Sequence, residues 1–323
     1  MTSKADQTNR TSSGLRPTRM RWLRRKGVRT LQSREATTGV LMALPWILGF
    51  LIFTAGPMLF GLYTGLTKWD IITAPKWIGL ENFIEMFSGK DRLFYRSLGV
   101  TLKYVAISAP LHVVLGFTLA ALLNMKLKGT NFFRSIYYLP SILPVVASSV
   151  MWSWVFNPDF GLLNYGLSLL GIDGPAWLAS PKWALPSIII MNLHYIGPGM
   201  IILLAGLQRV PQELYDVAQL DGANRFQLLR HITLPMMSPV IFFVIIQHIN
   251  SSFQTFTQAF LMTNGGPNYA TYFYMLHLYN EAWGSFHMGY ASALAWVLFL
   301  IIVGFLVAHF QLSKLWVYQE SEA

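Results

Sequence analysis

Five stretches of this chain run too long without a charge to belong to a soluble fold. Residues 40–66, 135–158, 183–208, 237–263 and 282–311 contain no Asp, Glu, Lys or Arg. About 20 apolar residues cross a bilayer as a helix. A helix satisfies its backbone polar groups internally, which is the condition for spanning hydrocarbon. The runs are continuous rather than alternating, so they are not strands of a transmembrane barrel. They predict an all-α polytopic membrane protein with six spans, roughly 40–66, 98–125, 136–156, 184–208, 236–263 and 288–311. Only 12% of the residues are charged, about half the fraction of an ordinary soluble domain. A soluble globular enzyme, a disordered chain and a fibrous chain are excluded. The net charge of +10 is therefore not read as that of a nucleic-acid binder.

Several chemistries are absent. The chain has no cysteine, which removes disulfides, thiol catalysis and cysteine-based metal sites. No two of the seven histidines lie three to five residues apart, so no helical His pair is offered to a metal. There is no Gly-x-x-x-x-Gly-Lys-Ser/Thr loop to cradle phosphates, and no Gly-x-Ser-x-Gly or His-Glu-x-x-His. Energy for any uphill work has to come from a partner. Lys103 is the one formal charge inside the expected spans, near a helix end, where its stem lets the ammonium snorkel to the interface.

The basic residues set the orientation. Segments 1–39, 126–135, 209–235 and 312–323 carry 17 Lys and Arg, against 6 in 67–97, 157–183 and 264–287. Basic loops stay inside, so both termini are expected in the cytoplasm. Residues 1–39 read as a basic cytoplasmic tail, partly disordered. Its Ser/Thr-rich first 18 residues lack the apolar content to fold, and Arg19–Arg29 reads as a topogenic segment resting on anionic lipid rather than a nucleic-acid arm. The first apolar run is too long for the core of a cleaved signal peptide. A membrane domain then covers 40–312, and a short cytoplasmic tail 313–323. No strong internal repeat is visible.

The longest internal cytoplasmic loop, 209–235, is not patterned as a linker. Pro211 lies at a helix start, and Glu213 sits in the first turn, where the helix dipole favours an anion. Leu214, Val217 and Ala218 fall at i, i+3 and i+4 and form one apolar face. Asp221-Gly222 breaks the helix: Gly222 can take a positive φ and Asp221 can cap. A second short helix carries Phe226, Leu229 and Ile232 on one side, and Leu234-Pro235 ends it. The result is a helix–turn–helix knob with an exposed apolar face. Such a knob either docks a partner protein or lies on the membrane surface.

In the same loop Asp216-Val217-Ala218 is followed by three residues and Gly222, then by nine residues and Ile232-Thr-Leu-Pro235. This resembles the Glu-Ala-Ala, three residues, Gly, nine residues, Ile-x-Leu-Pro loop of the permease subunits of binding-protein-dependent ABC importers. Two letters depart: Asp216 stands for Glu, keeping the charge, and Val217 for Ala, keeping an apolar contact. Phe132-Phe-Arg-Ser-Ile-Tyr-Tyr-Leu-Pro140, Trp152–Asn164, Thr263-Asn-Gly-Gly-Pro267 and Met288–Leu298 are similar to further segments of the carbohydrate branch, the maltose/glycerol-phosphate type. The resemblance covers about residues 40–312, with the core helices at 98–311.

That resemblance implies a division of labour. Two permease subunits would form the pore, and the long basic tail points to an unlike partner chain. Two ATP-binding subunits, carrying ATP and magnesium that this chain does not bind, would seat the loop through Glu213, Leu214, Asp216, Val217, Ala218, Asp221, Gly222, Ala223, Phe226, Ile232, Leu234 and Pro235. An extracytoplasmic solute-binding protein would deliver the sugar. No nucleic acid is involved, and this chain would not be an enzyme.

The fifth span carries Gln247, Ser251, Gln254 and Gln258 within roughly 60° of arc, with Asn250 adjoining. A polar stripe inside a membrane faces protein or water. Its amides and hydroxyl suit the hydroxyls of a sugar; equally, they would join this helix to its neighbours. Phe253 and Phe256 project from the far side and pack. Asn192, His194 and Tyr195 form a second polar cluster. His248 points away from Gln247 and reads as packed. Trp152, Trp154 and Trp177 read as an aromatic interface belt. A self-sufficient secondary transporter would need an intramembrane carboxylate, and none of the 14 acidic residues lies in the spans. An intramembrane enzyme is the remaining alternative, and the missing serine motif speaks against a protease.

Overall fold

The computed structural model describes residues 36–125 and 128–318. Most of the basic tail, Lys126 and the end of the carboxy-terminal tail lie outside the described residues. The chain divides into two compact units, residues 1–60 and 61–323. Four helices are long and apolar enough to cross a membrane: α1, Ala36–Gly65; α3, Arg92–Asn124; α10, Arg225–Phe253; and α13, Met288–Ser313. Two bent pairs complete the set if each is one span, giving up to six. The protein is thus a multi-pass helical membrane protein. The described strands are a two-residue pair, β1 Thr67–Lys68 and β2 Lys76–Trp77, which is antiparallel. Helix α2, Glu81–Phe87, follows them.

The bends correct the expectation of simple spans, and each has a local cause. The third span is broken by 102° between Thr130–Ile142, whose α-helical part is α4, and α5, Val145–Val155. Pro144 forces its predecessor out of the helical region, and Leu143 is extended, with φ −71° and ψ 134°. A short helix, α6, Leu162–Ser168, follows, and the fourth span then bends by 49° between α7, Ala184–Leu193, and α8, Gly197–Leu207. Pro198 starts the second limb, a position where its missing N–H costs nothing. A Cβ on Gly197 would sit 2.5 Å from the Tyr137 carbonyl oxygen, so α8 can approach α4 this closely only with glycine there. The fifth span ends at Phe253 rather than near 263, and a separate helix α11, Thr257–Met262, follows.

Within the second unit, α3 runs along α8 and α10 and forms the centre of the bundle. Val113, Ala120 and Leu123 of α3 interdigitate with Met200, Leu203 and Leu207 of α8 and Met237 and Val244 of α10. Pro239 lies inside α10, where a proline frees the carbonyl four residues earlier. The Ser238 hydroxyl donates to that Pro235 carbonyl at 2.6 Å.

The end of α3 away from this core is held by one carboxylate. Asp91 caps the helix, accepting the N–H groups of Leu93 and Phe94 at 2.9 and 3.0 Å. Its second oxygen accepts from His277 Nε2 at 2.8 Å and Tyr290 Oη at 2.7 Å. His277 belongs to α12, Tyr274–Tyr279, and Tyr290 to α13. Burial pushes the Asp91 carboxyl up, but the hydrogen bond from Tyr290, the attraction of His277 and the backbone donor of Phe94 outweigh it and hold the carboxyl below its usual range.

Candidate functional site

Two features remain once the packing is explained: an uncharged cavity in which Val145, Pro198, Ile202 and Val244 form apolar walls around a few polar groups, and an exposed helical elbow. The cavity is about 490 Å³, within the size range of small-molecule sites. Gln247 and Ser251 of α10, Gln258 of α11, and Asn192 and Tyr195 at the bend of the fourth span all line it. The bend is what brings the fourth-span residues there, because Tyr195 lies in the kink between α7 and α8. Asn192 is oriented by donating to the Tyr104 hydroxyl at 2.6 Å, and Ser251 donates to the His248 carbonyl at 3.0 Å. The Tyr195 hydroxyl has no hydrogen-bond partner among the described residues. Among the described residues, no Asp, Glu, Lys or Arg lines the cavity.

The polar stripe is not the continuous helical surface that its spacing suggests. Helix α10 stops at Phe253, Gln254 has φ −98° and ψ 14°, and Gln258 reaches the cavity from α11. Asn250 and Gln254 are not in the lining; the Gln254 amide donates to the Asn250 backbone and side-chain oxygens at 3.2 and 3.1 Å. His194 also stays outside the lining. Phe253 is buried among neighbours, as expected.

His248 is packed, as its sequence reading has it, and its place on the cavity wall is the addition. It lines the cavity together with His112 of α3, and the two imidazoles stack with centroids 4.1 Å apart. Nδ1 of His112 and Nε2 of His248 find no hydrogen-bond partner among the described residues. The one available signal was a lone histidine in the apolar stretch of α3; their pairing is long-range and invisible to spacing. Trp152 and Trp177 pack in one cluster with Phe156 and Met191, while Trp154 is exposed.

The elbow is well built. Helix α9, Gln212–Leu220, has Pro211 just before its first residue and Glu213 in its first turn. Gly222 sits at φ +82°. Its N–H donates to the Gln219 carbonyl at 3.0 Å, and that of Ala223 to the Ala218 carbonyl at 2.9 Å, the paired bonds of a glycine-terminated helix. The cap of the next helix is Asn224 rather than Asp221. Asn224 accepts from the Gln227 N–H at 3.0 Å, and Gln227 accepts from the Asn224 N–H at 2.8 Å, a reciprocal box. Leu234-Pro235 does not end this helix. That helix is the start of α10, which continues through a π-turn at Leu229–Thr233 and past Pro235 as one rod. The Tyr215 hydroxyl lies 3.0 Å from that of Thr233 and ties α9 to the rod.

The elbow presents its apolar residues outward. Leu214, Val217, Leu220 and Phe226 are exposed, Leu220 to 88%, as are Leu229 and Leu234. Glu213 and Asp216 are exposed beside them. A groove of about 320 Å³ is lined by Ala218, Asp221, Gly222, Ala223 and Ile232, among others. Pro235 is half-buried at the root.

The bundle of membrane helices thus combines an uncharged cavity with an exposed apolar elbow at the end of α10. The chain belongs to the family of binding-protein-dependent transport system inner membrane components, whose model matches residues 112–313. It is 42% identical over 294 residues to the probable ABC transporter permease protein YesP of Bacillus subtilis, covering 90% of this chain and 94% of that one. It is 32% identical over 287 residues to the trehalose/maltose transport system permease protein MalF of Thermococcus litoralis, covering 88% and 96% of the two chains. The fold matches a crystal structure of a bacterial alginate ABC transporter in complex with an alginate pentasaccharide-bound periplasmic protein. The TM-score is 0.76 at 23% identity, over 87% of this chain and 95% of that one. This family membership selects the importer permease over a secondary transporter or an intramembrane enzyme.

Proposed function

We propose that this chain forms half of the translocation pathway for a neutral sugar or related polyol, in the plasma membrane of a prokaryote, with both termini in the cytoplasm. The cavity carries this reading. Its amides, hydroxyls and unpartnered imidazole nitrogens match the donor and acceptor pattern of a polyhydroxylated ligand, and its lack of charge suits a neutral one. The trehalose/maltose permease among the relatives supports the substrate class. A second permease subunit of different sequence completes the pore, and an extracytoplasmic binding protein delivers the ligand.

Two ATP-binding subunits take the elbow in a surface cleft and hold ATP and magnesium, which this chain does not bind. Leu214, Val217, Leu220 and Phe226 supply the apolar contact, and Glu213, Asp216 and Asp221 the polar rim. Closure of the ATPase pair moves the elbow, and the rod through Pro235 carries that movement into α10, which lines the cavity. ATP and the loaded binding protein thus bias one two-state equilibrium between inward-open and outward-open forms.

The test of the cavity is transport by the reconstituted four-subunit complex, supplied with its binding protein and a panel of labelled mono- and disaccharides. Replacing Gln247 and Gln258 together by leucine leaves sugar hydroxyls facing apolar groups. Each lost hydrogen bond is worth about 1 kcal/mol, so uptake at limiting substrate falls about tenfold or more. Binding-protein-independent ATP hydrolysis stays unchanged. Wild-type uptake by the double variant would remove the cavity from the pathway.

A further inference from the structure

We propose that a second cleft, on the face shared by α3 and α7, holds the headgroup of one anionic phospholipid. The cleft encloses about 440 Å³, and three cations line it: Arg96 and Lys103 of α3, and Lys182 just before α7. No Asp or Glu is in its lining, and the ion pairs among the described residues involve histidines, not these three side chains. Arg96 is held in place by donating to the backbone carbonyls of Asn268 and Tyr269 at 3.3 and 3.4 Å. Lys103 follows two turns on, about 10 Å further along the same helix face. Gly99 lies between them and also lines the cleft. It faces open space, which leaves room for a phosphate between the two cations.

The composition of the walls decides the occupant. Beyond Lys103 the lining turns apolar, with Ile107, Leu185 and Ile189, and Ile107 is 52% exposed. Cations at the helix end with apolar surface one turn deeper match a phosphodiester with an acyl chain beneath it. A free anion would have no use for the apolar half. A soluble acidic protein would not reach Lys103 within the span. An ammonium inside a span without a counter-ion is costly, and a lipid phosphate supplies the charge where the headgroups begin.

Native mass spectrometry of the assembled transporter tests this, comparing phosphatidylglycerol with phosphatidylcholine of the same acyl chains. The expected result is preferential retention of phosphatidylglycerol. At about 1 kcal/mol per cation, Lys103→Gln lowers its affinity about fivefold, and the double replacement with Lys182→Gln about thirtyfold. Lys103→Arg, which keeps the charge, retains binding, as does Lys76→Gln on the distant strand pair. Phosphatidylcholine binding is unchanged by any of these. Equal retention of the two lipids by the wild type would overturn the proposal, as would undiminished phosphatidylglycerol binding by the double variant. Displacement of phosphatidylglycerol by millimolar inorganic phosphate would also overturn it, assigning the cleft to a free anion instead.

Discussion

Replacing Gly222 by leucine is expected to abolish ATP-driven uptake while the amount of inserted chain stays close to wild type. Gly222 has φ +82°, a conformation that costs a β-carbon residue about 1–2 kcal/mol. Nothing lies within 4 Å of where its Cβ would be, so the bundle itself does not clash with the new side chain. The damage is confined to the turn and to whatever seats against it. Relaxing the backbone breaks the paired bonds from Gly222 and Ala223 that end α9, and it changes the angle at which α9 presents Leu220 and Val217. An interface centred on a few apolar residues loses about 2 kcal/mol or more when one anchor is misplaced, about thirtyfold in occupancy, and a bulky leucine adds a clash at the contact. Gly222→Ala pays the conformational cost alone and should retain partial uptake. Transport assays alongside quantitation of the membrane-inserted chain separate the two effects. Wild-type uptake by the leucine variant would mean that the elbow does not couple.

The second large effect is on stability. Asp91→Ala is expected to lower the stability of the folded chain by about 3 kcal/mol, the scale for stripping a half-buried carboxylate from its donors. Four donors from α3, α12 and α13 converge on it. Because its carboxyl is held below the usual range in the folded state, the stabilisation is present above the aspartate pKa of the unfolded chain. It is lost as pH falls through that value and the lower folded one. Thermal unfolding in detergent from neutral to acid pH should show this loss in the wild type and not in Asp91→Asn. Identical pH profiles for the two would show that Asp91 does not contribute through its charge.

The features that were legible in the sequence are those with local causes. The apolar runs announced the spans, and the 20 positions from Asp216 to Pro235 announced the elbow, since a helix start, a positive-φ glycine and two short apolar faces leave their marks within one stretch. The bends were misread because each rests on a proline or glycine inside an apolar run that hydropathy alone treats as continuous. Pro144 and Gly197-Pro198 were the available signals. The cavity was half legible. Gln247, Ser251, Gln258, Asn192 and Tyr195 were named from their polarity, and all five converge. Gln254 falls on a helical phase that fails beyond Phe253, where the backbone leaves the α region, while Asn250, still within α10, lies at the edge of the stripe and bonds Gln254 instead. The His112–His248 stack depends on how α3 packs against α10, a long-range fact that no spacing rule contains. The cap at Asn224 was missed in favour of Asp221, although Gln227 three residues on was its sign.

The most direct measurement exploits the absence of native cysteine. Leu220→Cys introduces a single thiol at the most exposed apolar position of the elbow. In membranes of the native host, a maleimide carrying a benzophenone, attached to this thiol and photo-activated, should join it to an ATP-binding subunit, with a yield that changes when ATP and magnesium are added. A membrane-impermeant thiol reagent applied to intact cells should leave it unlabelled. Labelling from outside the cell, or cross-linking that reaches lipid alone and never an ATP-binding subunit, would contradict the account.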